Sequence, residues 1–345
     1  MGIIAGKFRR LAQLIRYSRT RGPLKVARII KKSFYCKVSG YPNSLMIEAA
    51  SKCNLSCAMC WAYKAYERRR NNFLSYTEYK KIIDDIEFFC SKIFFSFCGE
   101  PLLNKDIYKM IEYANQKNIL VGLSTNAMLL TEENAIKLLE AKPAEVIISL
   151  DATNKDIYEA MRIGGDFDTA LQRAKFLAEE KKRRKQNTPE VILQMVVTKK
   201  NESEIDEFIK LSEAISADGV CIKSMFIDHH GDESYRRKLI DEYLPVTHDI
   251  CRYTKCEDGS VILKKTGLCP NINSPVIASD GNVHICCFDI LGEYKQGNAI
   301  EENFCDIWHR NDYVQFRNNI MLNRKLPLCQ VCVYSDVPEV NICCK

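Results

Sequence analysis

The chain is predicted to be an α/β protein: a partial (β/α)6 barrel with a cysteine-bearing C-terminal extension and a basic N-terminal helical arm. Three observations predict it. Six short apolar runs alternate with helical patterns between residues 45 and 223. That alternation stops after Lys223, and turn-rich segments with cysteines take over from Cys269. Residues 1–40 hold eleven Lys and Arg and no Asp or Glu.

The apolar runs are LMIEA (45–49), KIFFSF (92–97), LVGLS (120–124), EVIISL (145–150), VILQMVV (191–197) and GVCIK (219–223). They are rich in Ile, Val and Phe and near-continuously apolar, as strands buried on both faces should be. Helical patterns lie near 76–90, 104–118, 131–141, 166–185 and 202–216, with Thr131 and Asn201 as N-caps followed by acids. Six β-α units in a row call for a parallel sheet with right-handed crossovers. Six strands are too few for an eight-stranded barrel, so the barrel is expected to be open. The expected organisation is an arm over 1–42, a barrel core over 43–227, a linker over 228–268 with a helix near 232–243, and a C-terminal cysteine domain over 269–345.

The formal net charge is +6 over 345 residues, and the arm alone contributes +11. The body is therefore acidic, which argues against nucleic acid as its partner. In the arm, Phe8, Leu11, Leu14 and Ile15 share a helical face, RGP (21–23) breaks the pattern, and a second apolar-basic helix runs through Ile29 and Ile30. An amphipathic pair packed on the body accounts for this pattern. Contact of residues 1–40 with an anionic membrane surface or an acidic partner, or a transit peptide, are the alternatives. The start MGIIAGKFRRLAQ has no secretory h-region, and no apolar run nears the ~20 residues of a membrane span. A cytoplasmic, reducing location is expected, where many of the seventeen cysteines read as metal ligands rather than disulfides.

ASKCNLSCAMCWAY (50–63) places Cys53, Cys57 and Cys60 on a loop just after the first strand, where parallel α/β proteins assemble active sites. Thiolates suit zinc and iron–sulfur clusters, but a structural zinc closes its tetrahedron with four protein ligands. Three local cysteines suggest a centre with one position left for something else. CxxxCxxC after a first strand resembles the signature of radical S-adenosylmethionine (SAM) enzymes. The resemblance implies a radical SAM barrel whose 4Fe-4S cluster sits on these cysteines. SAM chelates its fourth iron, and one electron yields a 5′-deoxyadenosyl radical. A donor such as flavodoxin or ferredoxin would supply that electron.

Further segments match the same family. FCGEPLL (97–103) resembles its GGEP motif, with Cys98 in place of the first Gly. Gly99 and Glu100 are then implied at the SAM amino group. STN (124–126) and SLD (149–151) resemble its polar strand ends, which implies Ser124, Asn126, Ser149 and Asp151 as SAM contacts. MRIGGDFD (161–168) resembles the segment whose Arg meets the SAM carboxylate, here Arg162. Met59 stands where many members carry an aromatic, with its backbone at the adenine. The resemblance covers roughly residues 43–225.

A second cysteine set follows: Cys269, Gly281 with Cys286 five residues on, and Cys329 and Cys332 in CxxC spacing. It resembles the SPASM/twitch extension of radical SAM enzymes, and YKQGNAIEENFCDIWH (294–309) matches its intervening stretch. An auxiliary 4Fe-4S cluster on Cys269, Cys286, Cys329 and Cys332 is implied, in the one-cluster twitch-like form. Cysteine spacing alone would equally suit a zinc ribbon. The adjacent Cys287 competes for Cys286's place, and the GxxxxC spacing selects Cys286. Cys36, Cys90, Cys221 and Cys305 lie in apolar settings and read as packing residues.

The implied reaction begins with hydrogen abstraction. Oxidation of a small or carbohydrate-like metabolite is the leading expectation, with the auxiliary cluster as electron acceptor. Peptide modification and redox-neutral epimerisation are alternatives, and a metal-binding scaffold is the non-enzyme one. No catalytic base is assigned; Lys223, Ser224 and the Asp228–His229–His230 cluster lie near the expected mouth.

Overall fold

The computed structural model describes residues 22–60, 62, 72–227, 233–246, 251–256, 261–263, 269–323, 326–330 and 340–343. It begins with α1 (Pro23–Ser39), stopped by Gly40 in the left-handed conformation, whose N–H donates to Cys36 O at 3.0 Å. Then come β1 (Ser44–Ile47), α2 (Tyr76–Ile86), β2 (Lys92–Phe95), α3 (Ile107–Gln116), β3 (Leu120–Thr125), α4 (Glu132–Ala141) and β4 (Glu145–Ser149). Two helices, α5 (Lys155–Met161) and α6 (Phe167–Arg183), lead to β5 (Glu190–Val197), α7 (Ile205–Ala214) and β6 (Gly219–Ser224). Each expected strand is present, and β1 to β6 pair in parallel in chain order. Leu45, Ile47, Ile93, Phe95, Val121, Leu123, Val146, Ile148, Leu193 and Met195 belong to the buried core between strands and helices.

The ends of this sheet come from the C-terminal part of the chain. β9 (Val276–Ile277) pairs in parallel with β1, and β10 (Val283–His284) pairs antiparallel with β9. On the far side β11 (Val340–Cys343) pairs antiparallel with β6. The result is a nine-stranded open sheet, a partial barrel flanked at both edges by the extension. These two- and four-residue strands are too short to show a period of their own, so the sequence pattern does not mark them.

Between β6 and β9 the structure differs from a plain linker. The expected helix is α8 (Glu233–Tyr243), but β7 (Tyr253–Lys255) and β8 (Val261–Leu263) also form an antiparallel hairpin. After β10 come α9 (Phe304–His309), α10 (Asn311–Asn323) and the short α11 (Pro327–Gln330). Among the described residues no helix is long and apolar enough to cross a membrane.

Thr131 caps α4 as expected, its side chain accepting from Asn134 N–H. Asn201 does not cap a helix. A 3-10 turn, Glu202–Glu204, intervenes, and Asn201 turns inward. Its Nδ2 donates to Asp151 O at 2.6 Å and Val196 O at 3.0 Å. Asn104 is a second buried tie. Its Nδ2 donates to Ala49 O and Leu74 O, both at 2.8 Å, at the point where the chain leaves β1 and where it returns to α2.

Asn104→Ala removes both bonds at the base of the cysteine loop; Ala49 O keeps the Leu74 N–H at 3.1 Å, while the Leu74 carbonyl loses its side-chain donor. It is expected to lower stability by about 2 kcal/mol. Denaturant unfolding should show this as a lower midpoint with an unchanged slope.

Candidate active site

The cysteine loop leaves the carboxyl end of β1 and is held by backbone bonds. Ser56 N–H donates to Ile163 O and Ala58 N–H to Met161 O, each at 2.9 Å, so the loop is tied to the end of α5. Cys60 N–H donates to Cys57 O at 3.0 Å. Met59 packs against a cluster that includes Met161 and Met225. The three cysteines are partly exposed thiols.

Gly99 is required by this loop. A Cβ at that position would lie 1.9 Å from Ala50 O and 2.6 Å from Lys52 O. The strand-end turn therefore abuts the backbone leading into the cysteine loop, and Glu100 N–H donates to Lys52 O at 2.9 Å. The backbone strain falls at Phe97 (φ 143°) rather than at Cys98. Cys98 replaces the expected Gly without left-handed backbone, and its side chain is buried with Ala62 and Ile290.

The Glu100 carboxylate is buried and organises the end of β3. Its Oε1 accepts from Leu102 N–H at 3.1 Å and from the Thr125 hydroxyl at 2.8 Å, and Oε2 accepts from Asn126 N–H at 2.9 Å. Burial pushes its pKa up and these donors pull it back. Asn126 in turn faces the loop. Its Nδ2 donates to Asn54 Oδ1 at 2.9 Å and approaches Cys53 Sγ at 3.7 Å. Leu55 N–H also donates to Cys53 Sγ, at 3.5 Å.

Asp151 takes the left-handed conformation (φ 64°) immediately after β4. Its Oδ2 accepts from Arg162 Nε at 2.9 Å and Nη2 at 2.5 Å, and its Oδ1 from Val196 N–H at 2.8 Å. Arg162 Nη1 reaches Cys57 Sγ at 3.9 Å. Burial works against the guanidinium's charge, but Asp151 and Cys57 outweigh it and raise the Arg162 pKa. Burial likewise pushes the Cys53 and Cys57 thiols up, and Arg162 pulls Cys57 back.

Ser124 Oγ lies 3.4 Å from Ser149 Oγ, which accepts from Gln194 Nε2 at 3.4 Å. This polar row crosses β3, β4 and β5 on the face opposite Leu123, Ile148 and Leu193 of the helix-side core. Sequence reading missed Gln194, although one polar residue inside VILQMVV was the available signal. The structure thus gathers Cys53, Cys57, Gly99, Glu100, Asn126, Asp151 and Arg162 around one mouth. Asp228, His229 and His230 lie outside the described residues.

The residues present fit an iron–sulfur cluster. Among the described residues no three His, Cys, Asp or Glu side chains converge on one metal ion. A 4Fe-4S cube does not need that, because each cysteine binds a different iron. Amide and guanidinium donors aimed at the sulfurs of Cys53 and Cys57 are what anionic thiolate ligands require.

In the C-terminal region Cys269, Cys286 and Cys329 pack against one core that also contains Trp308 and Tyr313. Cys332 lies outside the described residues. Gly281 (φ 83°) is needed here, since a Cβ would meet Asn298 Oδ1 at 2.3 Å. Arg317 on α10 is buried between two rings, 3.7 Å from the Trp308 centroid and 4.3 Å from that of Tyr313. Its Nη2 donates to Trp308 O at 2.8 Å, and its guanidinium and the Tyr313 hydroxyl are buried against each other. A buried cation with no ion pair among the described residues is costly; Arg317 packs on Tyr313, which itself lies within electrostatic reach of Cys286.

Comparison with known proteins agrees with this geometry. The family model of the Radical SAM superfamily matches residues 47–212, and that of the SPASM iron-sulfur cluster-binding domain matches residues 269–333. Mycofactocin maturase MftC of Mycolicibacterium smegmatis is 26% identical over 289 residues, 79% of this chain and 71% of that protein. A tungsten-containing aldehyde ferredoxin oxidoreductase cofactor-modifying protein of Pyrococcus furiosus is 25% identical over 321 residues, 85% of this chain and 87% of that protein. Among solved structures, Streptococcus suis SuiB bound to S-adenosylmethionine shares the fold, with a TM-score of 0.60 and 16% identity over 96% of this chain and 83% of that one. On these two matches the chain belongs to the radical SAM superfamily and carries a SPASM iron–sulfur cluster-binding domain.

Proposed function

We propose that this radical SAM enzyme cleaves SAM reductively at a 4Fe-4S cluster on Cys53, Cys57 and Cys60 and oxidises a small or carbohydrate-like metabolite in the barrel mouth. The donor set on the cysteine sulfurs carries the reading: Asn126 and Leu55 at Cys53, and Arg162 at Cys57. SAM held at the cluster on Cys53, Cys57 and Cys60 would supply the radical chemistry needed to activate an unreactive C–H bond.

The chain's own residues hold and orient. Asp151 fixes the Arg162 guanidinium through two of its nitrogens, leaving a charged group in the mouth for a carboxylate such as that of SAM. Glu100 sets the backbone that presents Asn126, and Gly99 lets the turn approach the loop. Met59 contributes its backbone beside the third cysteine. Ser124 and Ser149 offer hydroxyls to SAM along one wall, and the Gln194 amide beside them is a polar group suited to a substrate hydroxyl. The auxiliary cluster on Cys269, Cys286, Cys329 and Cys332 supplies, when bound, an electron acceptor, and the priming electron comes from a flavodoxin- or ferredoxin-like donor. A maturase acting on a peptide or a protein-bound cofactor is the second reading, favoured by the curated relatives, a maturase and a cofactor-modifying protein.

Anaerobic reconstitution is expected to give about eight irons per chain and 5′-deoxyadenosine on reduction with SAM. Replacing Cys53, Cys57 and Cys60 with Ala should leave about four irons and no cleavage. Cleavage that survives in this variant would overturn the assignment.

Gly99→Ala should displace the cysteine loop. SAM cleavage is expected to fall by about a hundredfold or more. Far-UV circular dichroism should remain unchanged, and wild-type cleavage with full clusters would contradict the packing argument.

Arg317→Met removes a positive charge that packs on Tyr313, a neighbour of Cys286. The midpoint potential of that cluster is expected to fall by about 50 mV, and Arg317→Lys should shift it less. An unchanged potential in folded Arg317→Met would reduce Arg317 to a clamp on the Trp308 carbonyl.

A further inference from the structure

The helix α1 lies across the end of the barrel opposite the cysteine loop. Its Val26 and Ile29 pack with Leu120 and Ala144, at the starts of β3 and β4. Lys32 Nζ donates to Lys117 O at 2.8 Å, and Cys36 Sγ to Phe89 O at 3.2 Å. Trp308 Nε1 donates to Gly40 O at 3.0 Å and fixes the helix end. One face is therefore fully used. The opposite face is not covered by any described part of the chain.

That outer face is apolar. Of nine exposed large hydrophobic side chains among the described residues, five lie on α1: Leu24, Ile30, Phe34, Tyr35 and Val38. Ile30, Phe34 and Val38 are one turn apart, and Phe34 and Val38 are 69% and 75% exposed. Phe88, from the neighbouring turn, extends the patch beside Tyr35, their rings 6.1 Å apart. A surface of this kind on one helix is an interaction site rather than scattered exposure.

Charge selects the occupant. Arg28, Lys31 and Lys37 border the stripe, and residues 1–40 contain no acid. A second copy of this helix would set cations against cations with no carboxylate to pair them, and residues 1–21 add six more cations and no acid. The occupant must be anionic and also accept an apolar stripe. A bilayer surface with anionic headgroups meets both demands: apolar side chains enter the acyl boundary while flanking Lys and Arg meet phosphates. We infer that α1 docks the enzyme peripherally on an anionic membrane, with the barrel mouth turned away from the lipid.

The test uses the full chain and flotation with vesicles of phosphatidylcholine alone or with about 30% phosphatidylglycerol, at about 0.1 M and 0.5 M salt. Wild type should float with the anionic vesicles at low salt, with about tenfold less binding at high salt and little binding to neutral vesicles. The double variant Phe34→Glu/Val38→Glu should bind about tenfold more weakly and retain wild-type circular dichroism and SAM cleavage. Absence of binding to anionic vesicles would overturn the proposal. So would a double variant that binds like wild type, which would move any binding to residues 1–21. Light scattering provides a further check, since a dimer dispersed by the double variant would make a second copy the occupant. Equal binding of soluble polyglutamate by both proteins would reduce the surface to charge alone.

Discussion

The buried ion pair between Asp151 and Arg162 is the constraint on which the mouth depends. Asp151 is placed by a left-handed turn after β4, and its carboxylate spans from the Val196 N–H of β5 to the guanidinium at the end of α5. Asn201 grips the Asp151 carbonyl from below. The same segment at the end of α5 accepts the backbone N–H groups of Ser56 and Ala58. Removing either partner would leave a buried charge, a cost of about 3–5 kcal/mol in comparable pairs. The pair thus sets both the electrostatics beside Cys57 and the position of the loop that carries it.

A second frame holds the loop from the other side. Glu48, buried just past β1, accepts from Ser279 N–H at 3.0 Å and from its hydroxyl at 2.9 Å. Asn72, where the chain returns from the loop, donates to Ser279 O at 2.8 Å. The segment between Cys269 and Cys286, two cysteines of the second set, therefore buttresses the first cysteine set.

Much of the barrel is legible in the sequence because its strands are buried on both faces and its helices are amphipathic, so pattern and tertiary need coincide. The cysteine spacings are legible because closely spaced thiols at a strand end suit soft-metal ligation far better than they suit packing. What escapes are polar residues whose partners lie far away in the chain. Asn201 resembles a cap because a cap and a buried bridge use the same side chain. Arg162 reads as a ligand for a bound carboxylate, and nothing in the sequence shows that Asp151 holds it. Arg317 resembles any helix arginine until packing puts it between Trp308 and Tyr313. Short strands such as β9 acquire their identity from β1 rather than from their own residues.

Because the extension supplies strands at both margins of the sheet, it is not a detachable module. Shortening the chain before Val276 would bare the hydrogen-bonding edge of β1 and, with β11 gone, that of β6. Unpaired parallel edges of that sort are templates for intermolecular strand addition. The strand leading into the loop of the first cysteine set and the strands of the extension thus belong to one continuous ladder.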